Sequence, residues 1–171
     1  GIVGIGHIGR EVIKMAHGFS MKVVTYDPIV SPEDAKKIGA EWMPYLDVLR
    51  AADCLTFHVP LLNETFHMLN ENTLKEVKKG VLIVNCSRGG VIDEKALARS
   101  IKDGKVKGAA LDVFETEPEI DPELLKEDEI ILTPHLGAQT VEAQKRTAII
   151  TAEQVLKALN DKKVDFPVNR L

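Results

Sequence analysis

The sequence contains little cysteine, no excess of positive charge and no long apolar run. Its two cysteines, Cys54 and Cys86, lie in apolar segments, which indicates reduced core thiols of a cytoplasmic protein, although a disulfide between them is an open alternative. The net charge of −4 over 171 residues argues against nucleic acid or an anionic membrane as a partner. Because no apolar run approaches the roughly 20 residues of a membrane-spanning helix, we expect a globular domain in the cytoplasm.

Two kinds of catalytic centre are also missing from the pattern. The five histidines have no metal-ligand spacing with one another or with the cysteines, so no metal site is expected. The sequence also lacks the Gly-x-Ser-x-Gly motif of a serine nucleophile. Hydrolysis by a metal ion or by an activated serine is therefore not predicted.

Three glycines follow the first apolar residues of the chain, in the segment GIVGIGHIG. Gly4 allows a tight turn, Gly6 lets the backbone approach a pyrophosphate, and Gly9 lets the next helix pack closely on the sheet. The next apolar run, KVVTYD, ends in Asp27, 18 residues after Gly9. A carboxylate at this place accepts hydrogen bonds from ribose hydroxyls and repels a 2′-phosphate. The pattern therefore predicts a site for NAD rather than NADP, with the phosphates at a helix N-terminus.

Apolar runs alternate with helical patterns along the chain, which predicts an α/β fold with a parallel sheet and crossover helices. In the first helix, one face collects the apolar residues Ile8, Val12, Met15, Ala16 and Phe19. Ser31 and Asp93 are predicted to cap two later helices, and a long helix is expected over Thr140–Leu159. The strands fit the doubly wound order 3-2-1-4-5-6, in which ligands bind at the carboxyl ends of the strands. The six predicted strands are Ile2–Ile5, Lys22–Asp27, Cys54–Val59, Val81–Cys86, Gly108–Phe114 and Ile130–Thr133.

Three ionisable residues stand directly after the fourth, fifth and sixth predicted strands. They are Arg88, Glu117 and His135, which are 29 and 18 residues apart. Since the carboxyl ends of parallel strands meet at one edge of a sheet, we expect these side chains to gather at the nicotinamide end of the cofactor. Each residue alone has a plainer interpretation, as a surface charge, a loop acid before a proline, or a core histidine.

These residue types suit hydride transfer to or from a nicotinamide, in which the cofactor carries the difficult chemistry. An arginine binds a carboxylate or carbonyl oxygen through its planar fork, so Arg88 is assigned to the substrate. A histidine takes up the proton of an alcohol and returns it to a ketone, so His135 is the expected acid and base. Glu117 is expected to support the protonated form of His135 and fix its orientation. Asp112 either meets the nicotinamide amide or caps its loop.

An ordered set of segments resembles the NAD-dependent D-2-hydroxyacid dehydrogenase family, from Gly1 to Asn169. The resemblance implies a Rossmann fold and makes Arg88, Glu117 and His135 the catalytic residues. Within the family, the chain is most similar to the branch that oxidises 3-phosphoglycerate to 3-phosphohydroxypyruvate in serine biosynthesis. The segments that carry the resemblance are GIGHIG, YDP, HVPLLNET, NCSRGGVIDE, GAALDVFETEP and PHLGAQT.

The resemblance also implies the residues that contact NAD, with Val59 and Pro60 on the adenine side. It implies a dimer or tetramer for the full-length protein, and a second domain that supplies part of the substrate site. We expect the dinucleotide-binding domain to span residues 1–165 and residues 166–171 to begin the return to that second domain. The implied cofactor contacts are Gly4, Gly6, His7, Ile8, Gly9, Asp27, Val59, Pro60, Thr65, Cys86, Ser87, Arg88, Asp112, His135 and Gly137.

Without the second domain, residues 1–171 are expected to bind NAD(H) and to turn over substrate poorly. Three alternatives are kept beside this prediction. The chain could belong to a reductase of glyoxylate or hydroxypyruvate, to a non-enzymatic NAD-sensing module of the corepressor kind, or to a different Rossmann enzyme. The first two share the fold and the cofactor, so only an assay with defined substrates separates them.

Overall fold

A computed structural model describes residues 1–160 and 162–167 of the chain. The chain divides into two compact units, Gly1–Pro134 and His135–Leu171. Residues 168–171, which hold most of the predicted return segment, lie outside the described residues. The strands are β1 (Ile2–Val3), β2 (Val24–Tyr26), β3 (Glu41–Trp42), β4 (Cys54–Phe57), β5 (Val81–Asn85), β6 (Val106–Leu111) and β7 (Ile130–Leu132). The helices are α1 (His7–Gly18), α2 (Pro32–Lys37), α3 (Tyr45–Ala51), α4 (Glu71–Glu76), α5 (Glu94–Lys102) and α6 (Val141–Leu159), with a short 3₁₀ turn at Leu124–Lys126.

The first unit is built on one parallel sheet in the order β3-β2-β1-β4-β5-β6-β7. Successive strands are joined by crossover helices or loops, and the order reverses between β1 and β4. This is the doubly wound α/β fold that the alternation of apolar runs and helices predicts. All seven strands end at the same edge, where the order reversal opens a crevice for a ligand.

The predicted number of strands was one too small. Glu41–Trp42 forms a two-residue edge strand that pairs with β2, and two residues are too few to show an alternating pattern. With this strand in third place, Cys54–Phe57 lies beside β1, and not beyond β2 as the six-strand order required. The loop after β4 therefore borders the crevice next to the glycine-rich turn.

Two separate apolar clusters pack against the sheet. Ile2 belongs to one cluster together with Ile13 of α1 and Ala35 of α2, whereas Val3 belongs to the other together with Leu49 of α3. Since successive side chains of a strand point to opposite faces, α1 and α2 cover one face and α3 covers the other. Both faces are thus covered at β1, whereas Leu82 of β5 and Ile131 of β7 are 45% and 67% exposed.

The predicted apolar face of α1 is only partly buried, with Val12 and Ala16 packed against the cluster of Ile2. Gly9 and Ile13 are the buried residues of this helix, whereas Ile8, Met15 and Phe19 are 65%, 64% and 81% exposed. The cause is Gly9, because a Cβ at this position would lie 2.2 Å from the Gly4 carbonyl oxygen. This close backbone contact sets the rotation of α1 and leaves part of its apolar surface in solvent.

The predicted helix starts are confirmed. The side chain of Ser31 accepts a hydrogen bond from the Asp34 N–H, and that of Asp93 accepts one from the Ala96 N–H. In the second unit, Thr140 caps α6 in the same way through the Ala143 N–H. Side-chain oxygens at these positions satisfy N–H groups that have no partner inside the helix.

In the second unit, α6 carries no buried residue, and its apolar side chains Ile149, Val155, Leu156 and Leu159 are exposed. Among the described residues, no helix has the length and apolar character needed to cross a bilayer.

Candidate nucleotide and substrate site

The glycine-rich turn after β1 has the geometry that its three glycines predict. Gly4 has a φ of +86°, and a Cβ there would meet the His58 carbonyl oxygen at 2.6 Å. Gly9 is excluded from carrying a side chain by the Gly4 carbonyl. In contrast, a Cβ on Gly6 would have no atom within 4 Å. The turn is therefore tightly packed against the protein at Gly4 and Gly9 and open at Gly6, which fits a backbone cradle for a pyrophosphate.

The N-terminus of α1 continues this cradle. Gly6 is its N-cap residue and makes no side-chain cap hydrogen bond, and no acidic residue lies in the first turn. The partial positive charge of the helix end is thus left to an external anion. His7 and Ile8, which the family resemblance assigns to the cofactor, are both exposed here.

Asp27 lies at the end of β2 and holds backbone on both sides of it. Its Oδ2 accepts a hydrogen bond from the Ile5 N–H at 2.9 Å, and its Oδ1 accepts one from the Ile29 N–H at 2.9 Å. Each carboxylate oxygen has a second lone pair, so these bonds leave capacity for ribose hydroxyls. The carboxylate therefore has a role in the apoprotein that the sequence did not indicate.

A cavity of about 290 Å³ lies beside Asp27, at the carboxyl ends of β1, β2 and β4. Val59 and Thr65, both expected near the adenine, line it, whereas Pro60 contributes its carbonyl oxygen as the acceptor for the Thr65 hydroxyl at 2.6 Å. Apolar and aromatic walls of this kind suit a planar base. Sequence reasoning missed several lining residues, although two of them flank Asp27 in the YDP segment. The missed residues are Val3, Tyr26, Pro28, Tyr45, Glu64 and Met68.

One wall of this cavity is fixed by Tyr45 of α3. Its hydroxyl donates to the Met68 carbonyl at 2.8 Å, and burial raises the pKa of the phenol above its ordinary value. The Tyr45 ring packs on Tyr26 with centroids 5.7 Å apart. The wall is thus rigid before any ligand binds.

The loop after β5 presents Arg88. Asn85, which is buried, accepts hydrogen bonds from the N–H and hydroxyl of Ser87 and donates to the Arg88 carbonyl at 3.0 Å. The Arg88 side chain is exposed, and its Nη1 donates to the Ser87 carbonyl at 2.6 Å. Ser87 thus has a structural role in the turn, and Arg88 extends from a rigid base.

The loops after β5 and β6 press against each other at Gly89. A Cβ on this residue would lie 1.7 Å from the Phe114 carbonyl oxygen. Glu117, three residues after Phe114, accepts a hydrogen bond from the Phe114 N–H at 3.0 Å through Oε1. The structure therefore brings the loops of Arg88 and Glu117 together at the sheet edge that also holds the glycine-rich turn. Sequence reasoning missed Gly89, because its constraint comes from a distant segment.

The loop after β6 is also tied to the start of α5 by two glutamates. The Glu115 N–H donates to Glu94 Oε1 at 2.6 Å, the Glu94 N–H donates to Glu115 Oε1 at 3.1 Å, and His67 Nε2 lies 3.1 Å from Glu115 Oε1. Burial raises the pKa of Glu94, and the negative charges of Glu115 and Asp121 add to that effect. This reciprocal pair fixes the loop that carries Glu117.

Asp112 and Cys86 lie at the ends of β6 and β5. Asp112 is buried, and its Oδ1 accepts the Thr133 hydroxyl at 2.5 Å, so it joins the ends of β6 and β7. Both cysteines are free thiols, but Cys86 is exposed and Cys54 half-buried, so the prediction of core thiols was wrong. Partial burial, with a smaller effect from Asp112, raises the pKa of the Cys86 thiol, which keeps it protonated at neutral pH.

His135 and Gly137 belong to the second unit, with His135 as its first residue. His135 has a φ of +54°, a backbone conformation uncommon for residues other than glycine. The convergence of His135 with Arg88 and Glu117 therefore stays a prediction. In residues 1–160 and 162–167, no three His, Cys, Asp or Glu side chains are grouped so as to hold a metal ion.

The fold and the glycine-rich turn together define a dinucleotide-binding domain. A family described as D-isomer specific 2-hydroxyacid dehydrogenase, NAD binding domain, matches residues 1–137. The chain belongs to this family, and its cofactor is NAD.

Relatives of known activity show how much of a whole protein this chain represents. It is 48% identical over 157 residues to D-3-phosphoglycerate dehydrogenase of Bacillus subtilis, covering 92% of this chain and 30% of that protein. It is 42% identical over 156 residues to glyoxylate reductase of Thermococcus litoralis, covering 91% and 47%. Among solved structures, the holo form of D-mandelate dehydrogenase from Rhodotorula graminis superposes with a TM-score of 0.92 at 34% identity, covering 99% and 50%. The chain thus spans about a third to a half of the length of these relatives.

Proposed function

We propose that this chain is the cofactor-binding part of an enzyme that oxidises a phosphorylated D-2-hydroxy acid, with 3-phosphoglycerate as the substrate and 3-phosphohydroxypyruvate as the product. The observation that carries the proposal is the Gly89 contact with Phe114. This contact supports a shared site for Arg88 and Glu117 on the edge that holds the glycine-rich turn. The choice of substrate is supported by the 48% identity to a phosphoglycerate dehydrogenase.

Each proposed catalytic residue has one task. The Arg88 guanidinium binds the carboxylate of the hydroxy acid through paired hydrogen bonds. A nitrogen of the His135 imidazole accepts the proton of the substrate hydroxyl, and Glu117 orients and stabilises the imidazolium that forms. Bound NAD supplies the acceptor for the hydride that leaves the substrate carbon.

The Glu117 carboxylate is restrained before substrate binds. Its hydrogen bond from the Phe114 N–H and the Glu94–Glu115 pair both limit the movement of its loop. A catalytic group that is already oriented loses less entropy on the way to the transition state. This restraint supports a positioned carboxylate rather than a surface acid.

The remaining parts of the proposal concern the longer protein. A second domain closes over the substrate and excludes water, so residues 1–171 alone bind NAD(H) with little turnover. The expected domain bounds, the cytoplasmic location and the homo-oligomeric state stay predictions. Near-normal steady-state turnover by residues 1–171 would contradict the need for a second domain.

The substrate is tested by a panel assayed with a protein that contains this chain and a substrate domain. Phosphorylated and unphosphorylated 2-hydroxy acids are oxidised with NAD, and 3-phosphohydroxypyruvate and glyoxylate are reduced with NADH. We expect the highest kcat/KM for the phosphorylated pair. A preference for glyoxylate would favour the second candidate, a glyoxylate reductase, which the 42% identity to such an enzyme supports.

The role of His135 is tested in the same protein by His135→Ala. Loss of the acid and base should lower kcat by about 10² to 10⁴, while the Kd for NADH stays within about twofold of wild type. Loss of folding in place of this result would show that His135, which is exposed, has a structural role. A kcat close to wild type would remove it from the mechanism.

A further inference from the structure

The peptide group between Ile5 and Gly6 is held by a charged side chain that the proposed function does not use. The Ile5 carbonyl accepts a hydrogen bond from Arg10 Nε at 3.1 Å. Ile5 is itself buried at 1% exposure, and its N–H is bound by Asp27 at 2.9 Å. Two side chains of opposite charge, from α1 and from the end of β2, therefore fix both polar groups of this one residue.

The geometry of the peptide bond makes the Arg10 contact important for Gly6. The carbonyl of Ile5 and the N–H of Gly6 belong to the same planar, trans peptide group, so they point in opposite directions. When Arg10 holds the carbonyl, the Gly6 N–H is directed to the other side. Gly6 is the residue at which the turn has open space, because a Cβ there would have no atom within 4 Å.

We propose that Arg10 is a positioning residue for the cofactor: by binding the Ile5 carbonyl it orients the Gly6 N–H toward the pyrophosphate of NAD. It acts through the backbone, and the hydrogen bond from Nε is the part of the side chain that matters. The inference rests on the placement of the NAD phosphates at the glycine-rich turn. It adds a residue outside the three glycines to the determinants of affinity.

Three substitutions of Arg10 separate the hydrogen bond from the charge. Arg10→Gln places an amide nitrogen at the same number of bonds from the backbone as Nε, without the charge. Arg10→Met keeps the length and has no donor. Arg10→Lys keeps the charge but moves the donor one bond further out.

The measurement is the Kd of the 171-residue chain for NADH and for adenosine, which lacks the pyrophosphate. Arg10→Gln should bind NADH within about twofold of wild type, whereas Arg10→Met and Arg10→Lys should bind it about five- to tenfold more weakly, as for one lost hydrogen bond. Adenosine should bind all four proteins equally. Thermal unfolding of each variant without ligand checks that the fold is intact.

The other outcomes overturn the inference in distinguishable ways. If Arg10→Lys binds NADH like wild type and Arg10→Gln does not, Arg10 acts by its charge. If adenosine and NADH weaken together, its role is structural. Equal NADH affinity in all variants removes Arg10 from the site and leaves the proposed function standing, whereas a wild-type chain that does not bind NADH removes both.

Discussion

The two ends of the ligand edge are constructed differently. At the end formed by β1 and β2, charged side chains hold distant backbone: Asp27 binds the N–H of Ile5, 22 residues away. At the end formed by β5 and β6, Arg88 and Glu117 are exposed and hydrogen-bond to backbone one and three residues away. Here the long-range contacts lie outside these two side chains: the backbones of Gly89 and Phe114 touch, and Glu94 and Glu115 accept each other's N–H.

This difference fits the ligand that each end is proposed to bind. A dinucleotide makes many weak contacts, so a cradle whose backbone is fixed in advance loses little entropy on binding. The β5–β6 end is proposed to hold the reacting groups, which must reach the substrate while their loops stay fixed, so exposed side chains on a rigid base suit it. The comparison predicts that substitutions at the β1–β2 end change affinity for NAD, and that substitutions at the β5–β6 end change loop packing and turnover.

The largest effect is expected for Gly89→Ala, which tests the contact between the loops after β5 and β6. The added methyl group would collide with the Phe114 carbonyl, so one loop must move. We expect a loss of about 2–4 kcal/mol in the free energy of unfolding, measured by chemical denaturation. Gly18→Ala is the control, because a Cβ there has open space and alanine favours a helix by up to about 1 kcal/mol. Equal stability of both variants would show that the loops are not in contact.

Sequence reasoning succeeded where a feature follows from a local motif or from strand order, and failed where it depends on one particular distant residue. The turn at Gly4, the cap at Ser31 and the cap at Asp93 were predictable because each depends on a few neighbouring residues. Gly89 gave no signal, because its constraint comes from Phe114, which is distant in sequence. The exposed face of α1 and the edge strand Glu41–Trp42 were missed for related reasons, since tertiary contacts override periodicity and short strands have none.

The candidate site divides in the same way. The pattern of glycines and Asp27 predicted where a nucleotide binds, but it did not indicate that Asp27 also holds the Ile5 N–H. The alternation of strands predicted that Arg88 and Glu117 share an edge. The place of His135 relative to them depends on the path of the chain after β7, and no local pattern determines that path.

An intermediate effect is expected for Asp27→Ala at the binding end. Loss of the ribose acceptor and of the Ile5 anchor should raise the Kd for NADH by at least about tenfold. The weakened turn should lower the affinity for both NADH and NADPH. The preference for NADH over NADPH should still decrease, because only NADH also loses the ribose acceptor. Both dissociation constants are measured by titration, with Asp34→Ala, an exposed carboxylate of α2, as the control.

An unchanged ratio of the two constants would refute the ribose role of Asp27. A large gain in NADPH affinity would show instead that the Ile5 anchor is dispensable.

The smallest effect concerns how the free energy of unfolding depends on pH through Glu94, in the pair that it forms with Glu115. Because the folded chain raises the pKa of Glu94, it binds this proton more tightly than the unfolded chain does. The corresponding stability is present at pH values below the ordinary pKa of glutamate and is lost as the pH rises through the raised pKa. Glu94→Gln should remove this decline and change stability by less than about 1 kcal/mol.

The free energy of unfolding at several pH values between 4 and 8 checks this prediction. Thr116→Ala, an exposed position in the same loop, should keep the slope of the wild type. A Glu94→Gln variant with the same slope as wild type would show that Glu94 does not retain its proton in the folded chain.

NAD is expected to lie across the open space at Gly6, and the single tryptophan reports on its binding directly. Trp42 Nε1 donates to the Asp27 carbonyl at 3.1 Å, so the fluorescent indole ring lies beside the proposed ribose site. NADH should quench this fluorescence saturably in the wild-type chain. In Gly6→Val, whose Cβ would have no protein atom within 4 Å and whose side chain would enter the pyrophosphate space, quenching should require at least about tenfold more NADH at unchanged thermal stability. Equal quenching of the two proteins, or none in the wild type, would contradict the account.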